Sequence, residues 1–155
     1  MTETRPRGAP PKLALMGKTH RYSPVNVPSI VLHAFKRAVK ETMNTMTMAD
    51  YLRVRVMNDA RKKLEGEPKT PEECNYGGII IWSEIPWIKP DKKTGEIKMT
   101  RHTTPVLYPK KHWTIFAHNC SVKGMAPKHQ ITRYMIELIE EWRRIKKAEK
   151  KRRKK

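Results

Sequence analysis

His118-x-Cys120 is a close pair of metal-ligating residue types, and Cys74, His102 and His112 are candidates to complete a site with it. Tetrahedral zinc sites usually declare themselves by two paired ligands at short spacing. The chain has one imperfect pair and no CxxC. A buried cysteine and satisfied or RNA-facing histidines account for these residues better, so no metal ligand and no cofactor is assigned. Catalytic signatures are weaker still: GxSxG, HExxH, Walker A and GxGxxG are all absent. Glu84, Asp91 and Glu96 lie near one predicted hairpin, where a metal-dependent nuclease could use such acids, but nothing in their spacing demands it. Glu137, Glu140 and Glu141 read better as helical salt-bridge partners of Arg133, Arg143 and Arg144. No catalytic residue is assigned, and an enzyme is not expected.

The chemistry that the residue types do favour is neutralisation of a polyanion. Lys and Arg number 34 against 15 Asp and Glu, a formal charge of +19 on 155 residues. A compact fold with that charge repels itself unless something neutralises it. A nucleic acid fits, because Lys and Arg on phosphate release its condensed counterions. The last 29 residues alone carry +8. Candidate RNA contacts in the N-terminal part are Arg5, Arg7, Lys12, Lys18 and Arg21, followed by Lys36, Arg37 and Lys40 and then by Arg53, Arg55, Arg61 and Lys62. Lys110 and Lys111 form a central pair. Arg143, Arg144, Lys147, Lys150, Lys151, Arg152 and Arg153 complete the set near the C-terminus.

Tyr108-Pro109-Lys110-Lys111-His112-Trp113 interleaves cations with aromatic rings, the combination that recognises single-stranded or irregular RNA. A cationic loop followed by a core tryptophan explains the same residues equally well. Arg101-His102-Thr103-Thr104 is a similar polar loop with little specificity.

These residues need elements to position them. Residues 1–28 read as an extended basic arm, since Pro6, Pro10, Pro11, Pro24 and Pro28 prevent a regular helix. A helix is expected over Ser29–Met43, capped by Ser29, with Ile30, Val31, Ala34, Phe35, Ala38, Val39 and Met43 on its apolar face. A second should start after Thr47, where Thr47 and Asp50 resemble a capping box, and run on a ridge of Met48, Leu52, Val56, Ala60 and Leu64 to Gly66. Together they predict an αα-hairpin. Thr70-Pro71-Glu72-Glu73 predicts a short capped helical turn.

Ile79-Ile80-Ile81-Trp82 reads as a buried strand, Glu96–Thr100 as a returning strand after the Pro90–Gly95 turn, and His112–Ala117 as a third strand. A C-terminal helix should begin near Pro127, with a stripe through Ile131, Tyr134, Met135, Leu138, Ile139, Trp142 and Ile145. Beyond Ile145 the apolar pattern stops while charge rises.

The fold class expected is therefore α+β: a small domain with an N-terminal αα-hairpin, a short antiparallel β unit and a C-terminal helix, flanked by basic extensions. The boundaries are 1–28 for the arm, 29–145 for the domain and 146–155 for a basic tail continuing the last helix. Four tryptophans exclude a disordered polymer. No apolar run reaches the length of a membrane span, and no membrane partner is expected. Two cysteines do not make a disulfide framework, so a reducing compartment is the default.

The function expected is that of a structural RNA-binding protein, a ribosomal subunit contacting rRNA phosphates and neighbouring proteins of the particle. The residues carry no signature of a cytosolic or bacterial ribosomal family, which directs the expectation to a lineage-specific subunit, for example of a mitochondrial ribosome. Cytoplasmic or nuclear placement stays open. The rival reading is a DNA-binding or DNA-packaging protein of a virus or chromosome. The connection at 44–47 lacks the glycine turn of a helix-turn-helix, however, and only Asn58 could read bases on the second helix. A third reading makes the Ile131–Ile145 stripe a protein-docking surface.

Overall fold

The computed structural model describes residues 17–22, 26–100 and 106–154. Arg5, Arg7 and Lys12 of the arm and the Arg101–Thr104 loop lie outside the described residues.

Thr47 and Asp50 form a full capping box: Thr47 Oγ1 accepts from the Asp50 amide and the Asp50 carboxylate accepts from the Thr47 amide, both at 3.1 Å. They open helix α2, Met48–Asp59, which follows helix α1, Ser29–Thr42. Ser29 does not cap α1. Pro28 occupies that position without a side-chain bond, and the Ser29 amide donates instead to the Lys98 carbonyl at 2.9 Å. Helix α2 also stops short of Gly66. Asn119 is the reason, since its side-chain amide donates to the Asp59 and Lys62 carbonyls and its oxygen accepts from the Leu64 amide. A distant side chain thus takes the backbone groups that another helical turn would have used.

The Thr70 cap forms as expected and opens α3, Pro71–Tyr76. Gly77 then passes so close to Gly124 that a Cβ would sit 1.6 Å from the Gly124 carbonyl oxygen, so only glycine fits there.

A short antiparallel β unit forms as expected, but largely from other residues. Residues 79–81 have no strand partner among the described residues, and a 3-10 turn follows at Trp82–Glu84. The Pro90–Gly95 turn forms, held by Asp91 and Glu96 backbone bonds. Only Met99–Thr100 of the predicted returning strand is extended (β3). His112–Ala117 is helical, inside α4, Lys110–Val122. Trp113, Ile115 and Ala117 fit a strand's alternation, but Trp113, Phe116 and Cys120 fit a helix equally well, and these are the buried set.

The strands come from an unexpected source. The end of the arm supplies β1, Thr19–Tyr22, and β2, Val27–Pro28. Strand β1 pairs antiparallel with β4, Val106–Pro109, from Thr19 opposite Pro109 to Tyr22 opposite Val106. Strand β2 pairs antiparallel with β3, Val27 opposite Thr100. Val27 is fully buried, so the folded unit begins before residue 29.

Helix α5, Pro127–Arg153, is 27 residues long. Helix α1 packs more extensively on α5 than on α2, so the hairpin is opened over the C-terminal helix. The core joins Val31 and Phe35 of α1, Leu52 and Val56 of α2, Phe116 of α4 and Ile131, Met135 and Ile139 of α5. The architecture is thus α+β, helices around short antiparallel ribbons.

Candidate nucleic-acid interface

The stripe on α5 buries Ile131, Tyr134, Met135, Leu138, Ile139 and Trp142. Ile145, at 38 % exposure, is already outside the core. Every described residue from Arg143 onward is exposed. At 1.5 Å per residue the cationic segment runs about 16 Å past Trp142. Arg143, Arg144, Lys147, Lys150, Lys151, Arg152 and Arg153 all lie on it, joined by Lys146 and Lys154.

Trp142 marks the junction with α1. The Arg37 guanidinium lies 5.6 Å and the Lys146 ammonium 4.8 Å from its ring centroid. Glu41 joins the same two cations, 3.8 Å from Arg37 and 3.6 Å from Lys146. These pairs are exposed and hold little energy, so they orient the cations without consuming them. Lys36 and Lys40 are exposed on the same helix as Arg37. Across the groove beside α5, Arg143 covers the Trp87 ring at 5.1 Å. Trp87, Trp142, Arg143, Lys146, Lys150 and Arg153 are among the residues lining this open groove.

A second cationic group is brought together by the β1–β4 ribbon. The Lys110 amide donates to the Lys18 carbonyl at 2.8 Å, which sets Lys18 beside Lys110 and Lys111 at the start of α4. Arg21 is exposed on β1. The aromatic part of this region is already engaged. His20 stacks on Trp113 at 4.7 Å with planes 15° apart, and Tyr22 and Tyr108 pack on the same ring. Trp113 is a core residue, so it offers no free face for a base.

Two expected contacts are engaged by the protein's own groups, Arg53 in the interior and Arg55 at the surface. Arg53 is 8 % exposed. Its Nε donates to the Leu107 carbonyl at 2.8 Å and its Nη1 to Asp50 at 3.1 Å. We remove Arg53 from the interface for that reason. Arg55 bonds Glu137 and Tyr51 and lies 4.2 Å from the Tyr134 ring centroid. Arg61 and Lys62 are exposed just past the end of α2.

The histidine–cysteine pair is structural. His118 Nε2 donates to the Leu64 carbonyl at 2.9 Å. Cys120 is fully buried, and burial pushes its thiol up to about 12. Among the described residues no three His, Cys, Asp or Glu side chains gather as a metal site.

Lys146 and Trp87 are absent from the set that charge and spacing alone suggest. The i, i+4 relation of Trp142 to Lys146 is a signal that points to the first. Trp87 has none, since it enters from a loop far along the chain.

Comparison of the chain with protein-family models, with curated proteins and with solved structures finds no match. Among the described residues no helix is long and apolar enough to cross a membrane.

Proposed function

We propose that the protein is a structural RNA-binding subunit of a ribonucleoprotein particle. A ribosome is the particle we put first, and among ribosomes a lineage-specific one such as that of mitochondria. The observation that carries this reading is the solvated cationic half of α5. Lys146, Lys147, Lys150 and Lys151 stand at i, i+3 and i+4 spacings, where like charges repel. Only Glu149 opposes them beyond Ile145. Such a rod gains from a phosphate lattice and gains nothing from the protein's own core.

The DNA-reading alternative draws less support. Helix α2, the would-be recognition helix, buries Arg53 and commits Arg55 to Glu137. The docking alternative for the Ile131–Ile145 stripe loses its surface, because that stripe is largely covered by the chain itself.

The test is binding of the full chain to a structured rRNA transcript and to duplex DNA of equal length, across salt concentrations. Tighter binding to the RNA with a steep negative log–log salt slope supports the reading. Salt-indifferent binding, or a preference for the DNA, sinks it. Sedimentation with ribosomal particles then tests the choice of particle.

A further inference from the structure

The segment Ile79–Ile81 has the residue types of a buried strand and none of a strand's pairing. Ile80 packs against the core, while Ile79 and Ile81 are 44 % and 53 % exposed. That alternation is what a strand shows when one face is covered. Among the described residues the amides of Ile79, Ile80 and Ile81 and the carbonyls of Ile79 and Ile80 find no backbone partner. Exposed edges are usually blunted by lysine, proline or a bulge. None of these lies within Ile79–Ile81.

The segment is held in place from behind. His129 Nδ1 donates to the Gly77 carbonyl and Arg133 Nε to the Gly78 carbonyl, each at 2.9 Å. Both donors come from the first turns of α5. The chain entering the edge is thus tied to α5.

Its electrostatics run against the rest of the molecule. A groove of about 360 Å³ beside the segment is floored by Ile85 and Ile136 and rimmed by Glu84, Glu137 and Glu140. Arg133, the cation in the groove, is turned toward the Gly78 carbonyl. Glu137 bonds Arg55, whereas Glu84 and Glu140 have no salt-bridge partner among the described residues. In a chain of charge +19, an acid-rimmed apolar edge is a poor seat for phosphate and a good one for a cationic polypeptide.

We propose that Ile79–Ile81 is a strand-addition site for an extended segment of a neighbouring protein that alternates apolar and Lys or Arg residues. Backbone bonds to the unpaired edge supply register, Ile79 and Ile81 supply apolar contact, and Glu84 and Glu140 select the cations. The proposal stands apart from the RNA reading, and its test contains no RNA.

The probes are two labelled peptides of about seven residues, one alternating lysine and valine, the other glutamate and valine. Binding is read by anisotropy, and amide hydrogen exchange at residues 79–81 is read by NMR. Overall charge alone favours the glutamate peptide. The expected result is the reverse: the lysine peptide binds and slows exchange at Ile79 or Ile81 by about tenfold or more. Ile81→Lys, at an exposed position, should abolish that protection. The Glu84→Lys/Glu140→Lys double variant should weaken binding by about tenfold. Circular dichroism melts confirm that both variants fold. Equal or greater protection by the glutamate peptide overturns the proposal, as does lysine-peptide binding that leaves these amides unchanged. Slow exchange at these amides in the free protein also overturns it, because the edge is then covered by the chain itself.

Discussion

The two halves of α5 share one helix and have opposite surroundings. From Gln130 to Trp142 the helix is wedged against α1, α2 and α4, and nine of its residues are buried. From Arg143 to Lys154 none is buried. Backbone hydrogen bonding is the same throughout, so the difference lies wholly in side chains. The proximal half holds the fold together by apolar burial, and the distal half is a cationic rod that the core merely anchors. Trp142 is the hinge between these roles, with its ring in the core and two cations over it. One consequence is that stability and phosphate affinity should be separable by mutation along a single element.

The largest effect should come from the proximal side. Trp142→Ala removes an indole that is 8 % exposed and should cost about 3–5 kcal/mol, read by denaturant titration. A cost below about 1 kcal/mol would mean that the stripe ends before Trp142, and the comparison would fail.

Arg53→Met comes next. It leaves the Asp50 carboxylate buried without its guanidinium and should cost about 3 kcal/mol. The salt slope of RNA binding should not change, because the guanidinium neutralises no phosphate. A shallower slope in a folded variant would return Arg53 to the interface.

Truncation after Lys146 tests the distal half. Seven basic residues go, Lys147, Lys150, Lys151, Arg152, Arg153, Lys154 and Lys155, with only Glu149 opposing them. The melting temperature should stay nearly unchanged. The magnitude of the salt slope should fall by about 0.7–0.9 for each phosphate that the truncated chain no longer neutralises. A truncated protein that binds RNA like the full chain at every salt would make the rod a solubility device.

At neutral pH the smallest effect is that of titration, which shows itself only on the alkaline side. Burial holds the Cys120 thiol, ordinarily 9.0, at about 12, and the Tyr22 hydroxyl, ordinarily 10.0, at about 12. Both are acids kept neutral in the fold, so through this window the unfolded chain loses protons that the native state retains. Stability should therefore fall as pH rises from about 9 toward 12, and be insensitive to these groups below it. Melts of the wild type and Cys120→Ala across that range check the sign. The variant, less stable at neutral pH, should lose less on going alkaline.

Much of the helical frame can be read directly from residues. Thr47 with Asp50, Thr70 with Pro71, and the 3–4 spacing from Ile131 to Trp142 are local patterns whose physics closes within a few residues. The cationic tail is equally legible, since charge without apolar partners cannot enter a core. The strands are not. Residues 19–22 look like a basic leader, and become β1 only because Val106–Pro109 lies alongside. His112–Ala117 satisfies two periodicities at once, and burial of Phe116 and Cys120 chooses the helix. Ile79–Trp82 has strand composition, but a strand needs a neighbour, and among the described residues it has none.

The candidate interface divides in the same way. The sequence by itself determined that the chain is strongly cationic, that its last helix leaves the core near Ile145, and which cations accumulate there. Charge and periodicity are properties of the residues in order, independent of what folds against them. Tertiary structure alone decided that Arg53 is spent on Asp50 and Leu107, that Trp113 is sealed by His20 and Tyr22, and that Arg37 and Lys146 meet over Trp142. Each of these joins groups far apart in the chain or chooses between a buried and a solvated face. Desolvation and packing settle such choices only once the partner is in place.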